Sequence, residues 1–452
     1  MSATEAGGGG STRILSQTRG TCPVCIEMVE AHVVEEDGKV YIEKSCPRHG
    51  NHRSLISVAP EYYKDLHDYY FDVLPDSLPQ RDYILRLTGR CNMACPICLA
   101  SANDFEEQDL PRETISKLLR GGKRLKIDLM GAEATLRPDL EDIIREARGL
   151  GHITALHTNG IRLGEEGYLA RLVEAGLDEV HLQFDGFSDA HDLKIRGRAM
   201  SGLKEKAVDM LERHRVATDL VVTIVQGSNE DEMVKVLDFS ATRPFVKEVF
   251  YLGCRPLGRA VGEFAQNSLV PDEVLELLAE KTSGRISRDD IRIFQKLYFA
   301  MLALLKVRKC FYIHHYILHR RDGRWVPLAE EMDLKYLEPR LERFRRLFRK
   351  SRLLAGGYLG FHAVLAYLRK GSIRPVWDGI VLTLLLLLGF DLSRLKRRPI
   401  LLGFITACDP WIYDDKVGAN CGKGEVSTDL GHHESGALAN VSRERLHAKG
   451  GK

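Results

Sequence analysis

The chain has no apolar run long enough to cross a bilayer, no secretory leader ahead of its first cysteine and almost no net charge. Crossing takes about 20 apolar residues, and the greasiest uncharged run, residues 379–390 with a leucine stretch at 384–388, is too short. Ten cysteines without a leader do not read as a disulfide-stapled secreted protein, so a reducing cytoplasm is expected. Outside a series of strand–helix units there is no internal repeat. Nor is there a recognised nucleic-acid fold or aromatic stacking motif, so nucleic acid is not an expected partner. What remains is an ordinary globular composition in 452 residues, a length that suggests about three domains.

Six of the ten cysteines fall into metal-ligand spacings. Cys91-Asn92-Met93-Ala94-Cys95-Pro96-Ile97-Cys98 places three thiols on one tight loop, C-x3-C-x2-C, and supplies no fourth. A 4Fe-4S cluster held this way keeps one iron open to a small molecule. The competing reading is a zinc knuckle, but structural zinc sites mostly pair two C-x2-C or C-x2-H arms. Such a pair lies nearer the start of the chain, where Cys22-Pro23-Val24-Cys25 and Cys46-Pro47-Arg48-His49 flank a hairpin with Asp37-Gly38 at its turn. Cys22, Cys25, Cys46 and His49 make a closed Cys3His site for zinc or iron, with no open position for catalysis.

Past Cys98 the chain repeats short apolar runs with helix-type sequence between them. Strands are predicted at 84–88, 126–130, 153–157, 179–184, 217–225 and 248–252, with Gly121-Gly122, Gly149 and Gly176 as helix stops. Six consecutive βα units make an open parallel barrel whose reaction face lies at the carboxyl ends of its strands.

In this order after the cysteine loop, four further motifs give a close resemblance to the radical S-adenosylmethionine (radical SAM) superfamily, from about Asp82 to Ala260. Gly131-Ala132-Glu133-Ala134 stands where that family usually has Gly-Gly-Glu-Pro, Thr158-Asn159-Gly160 matches its third-strand turn, and Gln183-Phe184-Asp185-Gly186 matches its fourth-strand motif. His191-Asp192-Leu193-Lys194-Ile195-Arg196-Gly197 resembles the segment whose arginine holds the cofactor carboxylate. The resemblance implies S-adenosylmethionine as cofactor, with Gly131, Ala132, Glu133, Asn159, Gln183, Asp185 and Arg196 around it. In the family the glycines let the backbone approach the methionyl amine, so Ala132 adds a methyl group at a crowded place. It also implies a reducing electron donor such as ferredoxin or flavodoxin.

The Cys3His module followed by such a barrel looks like the branch that contains tetraether lipid synthase and relatives once described as pterin methyltransferases. Those relatives usually carry another cysteine cluster just before the first barrel strand, whereas residues 61–79 hold no cysteine. Cys254 follows the sixth strand; Cys310, Cys408 and Cys421 form no compact ligand motif and read first as unliganded cysteines, with an accessory cluster that uses these three and another ligand as the alternative.

Between residues 340 and 398 fourteen basic residues face only Glu342, Asp378 and Asp391, and the apolar runs 353–368 and 379–390 lie among them. Basic flanks on short apolar helices suit an anionic membrane surface. A helical subdomain with solvated arginines is the plainer alternative.

The expected chain is α/β: a tail over 1–20, a zinc-ribbon-like or rubredoxin-like module and linker over 21–80, and a partial (β/α)6 radical SAM barrel over 81–265. A mainly helical basic-apolar region over 266–430 and a second tail over 431–452 complete it. The expected function is radical hydrogen abstraction from a lipid or other apolar substrate, in the cytoplasm or peripherally at the inner face of the membrane. The alternatives are radical modification or methylation of a soluble heterocycle or peptide, and a degenerate cluster-binding protein without turnover.

Overall fold

The computed structural model describes residues 12–74, 82–104, 108–122, 124–373, 399–428, 431–433 and 435–450. Four antiparallel strands pair in chain order at the start: β1 (Arg13–Thr21), β2 (Met28–Glu36), β3 (Lys39–Cys46) and β4 (Gly50–Ser57). Asp37 (φ 49°) and Gly38 (φ 69°) form the turn between β2 and β3, and two left-handed residues match the twist of paired strands. Ala31, Val33, Val40 and Ile42 are buried in this module.

The expected tail over 1–20 needs correction, because β1 starts at Arg13 and pairs along β2 from Arg13–Glu35 to Thr21–Met28. Its polar side chains hid it from a hydrophobicity reading. They are used instead for contacts such as Thr18 Oγ1 to Asp414 Oδ1, 2.6 Å.

Helix Pro60–Val73 leads to the barrel. The parallel strands β5 (Asp82–Arg86), β6 (Lys126–Met130), β7 (Ile153–Thr158), β8 (Glu179–Gln183), β9 (Ala217–Ile224) and β10 (Val246–Gly253) lie side by side in that order. Helices between them bury one stripe each: Leu140–Gly149 turns Leu140, Ile143, Ile144 and Ala147 inward, the spacing of one helical face. The six βα units are therefore where the sequence put them.

The region after β10 is mainly helical, as expected, and it also returns strands to the sheet. β11 (His314–Arg321) and β12 (Arg324–Pro327) form a hairpin at one edge, β13 (Ile400–Thr406) lies parallel to β10, and β14 (Lys423–Ser427) lies parallel to β5. Two strands more than the six expected thus extend the parallel array. β15 (Gly431–His433) and helix Gly436–Gly450 replace the expected second tail. They are tied down by buried Ala437, Ala439 and Val441 and by the buried pair of Arg443 with Glu425.

Of the basic-apolar segment, helices Leu334–Phe348 and Arg352–Arg369 are described. The apolar run 379–390, with Arg374, Asp378, Asp391, Arg394, Lys396, Arg397 and Arg398, lies outside the described residues. Several of the described cations are engaged: Arg345 and Arg349 with Asp72, Arg369 with Asp333, and Arg340 above the Tyr336 ring.

Candidate active site and metal centres

β5 runs straight into the loop that carries Cys91, Cys95 and Cys98. Asn103 clamps its start, accepting from Cys91 N at 2.9 Å and donating to Cys91 O at 3.0 Å. Arg259 holds the far side, its backbone N–H donating to Cys98 O at 2.9 Å. Gly258 (φ 58°) permits that approach, since a β-carbon there would meet the Cys98 carbonyl oxygen at 2.3 Å. Burial pushes the Cys91 thiol up to about 12, and Glu133, Cys95 and Cys98 add repulsion. Three crowded thiolates need cations among them, which suits an iron-sulfur cluster.

The three cysteines line a cavity of about 250 Å³ at the carboxyl ends of the strands. Gly131, Ala132, Glu133, Asn159, Gln183 and Arg196 line it too, so every predicted cofactor residue except Asp185 reaches one hollow. Asp185 lies beneath, fully buried, and grips Arg196 with two hydrogen bonds, Nε to Oδ2 at 2.7 Å and NH2 to Oδ1 at 2.9 Å. Burial favours a neutral Asp185, but Arg196 outweighs it and holds the carboxyl below the usual carboxylate range. Thr223 Oγ1 accepts from the same guanidinium at 2.9 Å, leaving it one defined direction. Asp185 is thus placed to orient Arg196.

Two predicted residues have a further structural use. Gly131 is packed against the cluster strand's extension, where a β-carbon would meet Thr88 O at 2.6 Å. Glu133 has both carboxylate oxygens engaged: Oε1 accepts from Thr135 and Thr158 hydroxyls at 2.6 and 2.7 Å, and Oε2 from Asn159 N at 2.8 Å. Asn159 in turn donates to Asn92 Oδ1 at 2.7 Å and so ties the third-strand turn to the cluster loop. Sequence reasoning missed His157, His181, Thr223 and Arg255 in the cavity wall. Arg255 is buried against Asp409, Nε to Oδ2 at 2.6 Å. Alternation along β7, β8 and β9 was the available signal, because residues 157, 181 and 223 face inward from the strands whose ends form the mouth.

In the ribbon, the ligand atoms of Cys22, Cys25, Cys46 and His49 lie within 4.8 Å of one another. The His49 Nδ1 distances are 3.7 Å to Cys22 Sγ and 3.4 Å to Cys46 Sγ, and Cys25 Sγ lies 3.9 Å from Cys46 Sγ. Tetrahedral zinc with bonds of about 2.0–2.3 Å separates its ligands by roughly 3.5–3.8 Å, so the donor set fits. The ribbon sits on the 408–413 loop, with Lys44 Nζ donating to Pro410 O at 2.7 Å and Trp411 O at 2.8 Å.

Cys310, Cys408 and Cys421, far apart in sequence, come within electrostatic reach of one another. Burial pushes Cys310 up to about 12, with Cys421 adding to it, and raises Cys408, where Cys310 and Cys421 both contribute. Cys254 is buried in the main cavity wall instead.

Residues 85–240 match the radical SAM superfamily, and residues 14–58 match the HMPTM N-terminal zinc ribbon domain. The chain therefore carries a radical SAM domain behind a zinc ribbon, the pairing whose cofactors are a 4Fe-4S cluster, S-adenosylmethionine and zinc. It is similar to 7,8-dihydro-6-hydroxymethylpterin dimethyltransferase of Methanocaldococcus jannaschii, 28% identical over 364 residues that make up 71% of each chain. It is also similar to GTP 3′,8-cyclase of Limosilactobacillus fermentum, 26% identical over 206 residues, 43% of this chain and 61% of that one. Among solved structures, Streptococcus suis SuiB bound to S-adenosylmethionine matches with a TM-score of 0.39 and 14% identity, over 46% of this chain and 48% of that one.

Proposed function

We propose that the chain cleaves S-adenosylmethionine reductively and removes a hydrogen atom from a carbon of an organic substrate held in the 250 Å³ cavity. The observation that carries this reading is the meeting of Cys91, Cys95, Cys98, Gly131, Asn159, Gln183 and Arg196 in one wall. With the cluster and S-adenosylmethionine bound, one electron from a ferredoxin-like or flavodoxin-like donor would break the S–C5′ bond, releasing methionine and supplying a 5′-deoxyadenosyl radical. The protein's share is position. Cys91, Cys95 and Cys98 would hold the cluster, Arg196, oriented by Asp185 and Thr223, would bind the cofactor carboxylate, and buried Met93 and Ile97 help exclude water. Anaerobic turnover with dithionite tests this: 5′-deoxyadenosine should form and should vanish when Cys91, Cys95 and Cys98 are all changed to Ala.

A lipid or other apolar substrate is supported by one surface. Helix Arg352–Arg369 exposes Leu353, Leu354, Phe361, Val364 and Leu368, and Arg343, Arg346, Arg349 and Lys350 border a nearby hollow of about 590 Å³. Among the described residues no helix is long and apolar enough to cross a membrane. An apolar stripe beside cations suits binding at an anionic surface, peripherally. Binding to anionic vesicles that weakens with salt is the expected result; indifference to such vesicles at low salt would remove this support. A soluble heterocycle is the second reading, favoured by the polar cavity wall of His157, His181, Gln183 and Thr223 and by the pterin and GTP in the names of the two relatives.

An accessory iron-sulfur site at Cys310, Cys408 and Cys421 belongs to the same proposal, supported by the packing of Cys408 and Cys421 on one apolar cluster and by the addition of Cys310 and Cys421 to the burial that raises the Cys408 thiol. Iron and sulfide analysis of the chain with these three changed to Ala should show the loss of one cluster while the barrel cluster persists.

A further inference from the structure

Asp128, His157 and His181 hold neither the cluster nor S-adenosylmethionine in this reading. β6, β7 and β8 are adjacent, and they point Asp128, His157 and His181 into the barrel, with His157 directly opposite His181 in register. Asp128 is fully buried, His181 is 7% exposed, and both histidines reach the cavity wall. One ligand atom from each of the three lies within 4.8 Å of the other two.

Asp128 Oδ1 and His157 Nε2 lack a hydrogen-bond partner, and His181 Nε2 makes no aligned hydrogen bond although Asp219 Oδ2 stands 3.1 Å away. Buried polar atoms are rarely left so, because water is given up and nothing replaces it. Their spacing explains why they do not satisfy one another. Oδ1 of Asp128 is 3.6 Å from Nε2 of His157, too far for a hydrogen bond. It is close to the roughly 3.4 Å that separates two atoms bound to one ion by bonds of about 2.1 Å. The two imidazoles stack beside each other, their centroids 4.3 Å apart and their planes 30° from parallel.

We propose that Asp128, His157 and His181 hold one divalent first-row metal ion, with its open positions facing the cavity. The other Asp128 oxygen is bonded to Lys423, which turns Oδ1 toward the imidazoles. A second tight set, Glu179, His181 and Asp219, shares His181. Glu179 is already occupied by Lys126 at 2.9 Å and Lys247 at 2.7 Å, so the ion is assigned to the Asp128 side. Two imidazoles and a carboxylate, with no thiolate, suit Mn²⁺, Fe²⁺ or Zn²⁺. An anionic oxygen of the substrate is the ligand class that the open positions would take.

The test uses the full chain with its cluster and ribbon zinc in place, titrated anaerobically with Mn²⁺ and separately with Zn²⁺. One ion per chain should bind beyond the ribbon zinc, and pulsed EPR of the Mn²⁺ form should show coupling to two imidazole nitrogens. His157→Gln and His181→Gln should each weaken binding by at least about tenfold, with the cluster's visible absorbance as the check on folding. A wild-type chain that binds neither ion beyond the ribbon, or binds Mn²⁺ without imidazole coupling, overturns the proposal whatever the variants do. Because the readout is metal binding, its failure would leave S-adenosylmethionine cleavage untouched.

Discussion

The ribbon and the barrel mouth both gather cysteines, but they gather them to opposite ends. In the ribbon, ligands from two knuckles on paired strands converge until four donor atoms lie within 4.8 Å, and the Arg48 and His49 backbone with the His49 ring bring the Cys46 thiol down to about 6 against the effect of burial. At the mouth, three thiols share one loop, burial takes Cys91 up to about 12, and the side opposite the loop opens on a cavity. A closed donor set surrounds one ion and leaves no position for chemistry. A three-thiol loop spreads its ligands over a cluster and leaves a place for a reactant. The difference separates a module that uses metal to fold from one that uses it to react.

Removing the ribbon metal should have the largest effect, since structural zinc contributes on the order of 10 kcal/mol to such modules. Cys46→Ser should lose the ribbon metal and expose residues 13–57 to protease, while the barrel cluster, read by visible absorbance, stays. Loss of the cluster with the ribbon intact would break the comparison. Next comes Arg196→Met, which strands the buried Asp185 carboxylate at a cost of about 3–5 kcal/mol. S-adenosylmethionine should bind at least tenfold more weakly in calorimetry, and Arg196→Lys should not restore it, because the two-pronged grip on Asp185 needs a guanidinium.

Asp272 joins the two regions, accepting from Ser57 Oγ at 2.6 Å and Val58 N at 2.8 Å. Burial pushes its carboxyl up to about 6. Between about 4 and 6 the folded chain therefore binds more protons than the unfolded chain, and this group's stabilisation, complete below about 4, is lost as pH rises through 6. Asp272→Asn should remove that dependence, a change of about 3 kcal/mol across the window, visible as a flatter curve of Tm against pH. The smallest effect is expected at Glu133. Glu133→Gln puts an amide where Thr135, Thr158 and Asn159 all donate, and thermal unfolding should show a loss of about 2 kcal/mol.

The cysteine spacings made both metal centres readable from the sequence, because ligands on one loop or two knuckles are local features. The six barrel strands were readable for a similar reason, each being an apolar run between helix stops. β1 was not, since an edge strand such as Arg13–Thr21 can be polar nearly throughout. β14, Lys423–Ser427, is short and carries charge, so nothing in it announced a strand beside β5. Asp185 was read as a cofactor contact and lies behind Arg196, a distinction between touching and orienting that no motif encodes. His157 and His181 were passed over because each stands alone in its own strand, and only register brings the two rings together.

The central claim is that the open three-thiol loop, and not the closed ribbon, performs the reaction. The most direct measurement is 5′-deoxyadenosine formed from S-adenosylmethionine by the anaerobically reconstituted chain under dithionite, with each constellation removed in turn. The account predicts product from the wild type, none when Cys91, Cys95 and Cys98 are Ala, and residual product when Cys22 and Cys46 are Ser. Product that survives the loss of Cys91, Cys95 and Cys98 would contradict it.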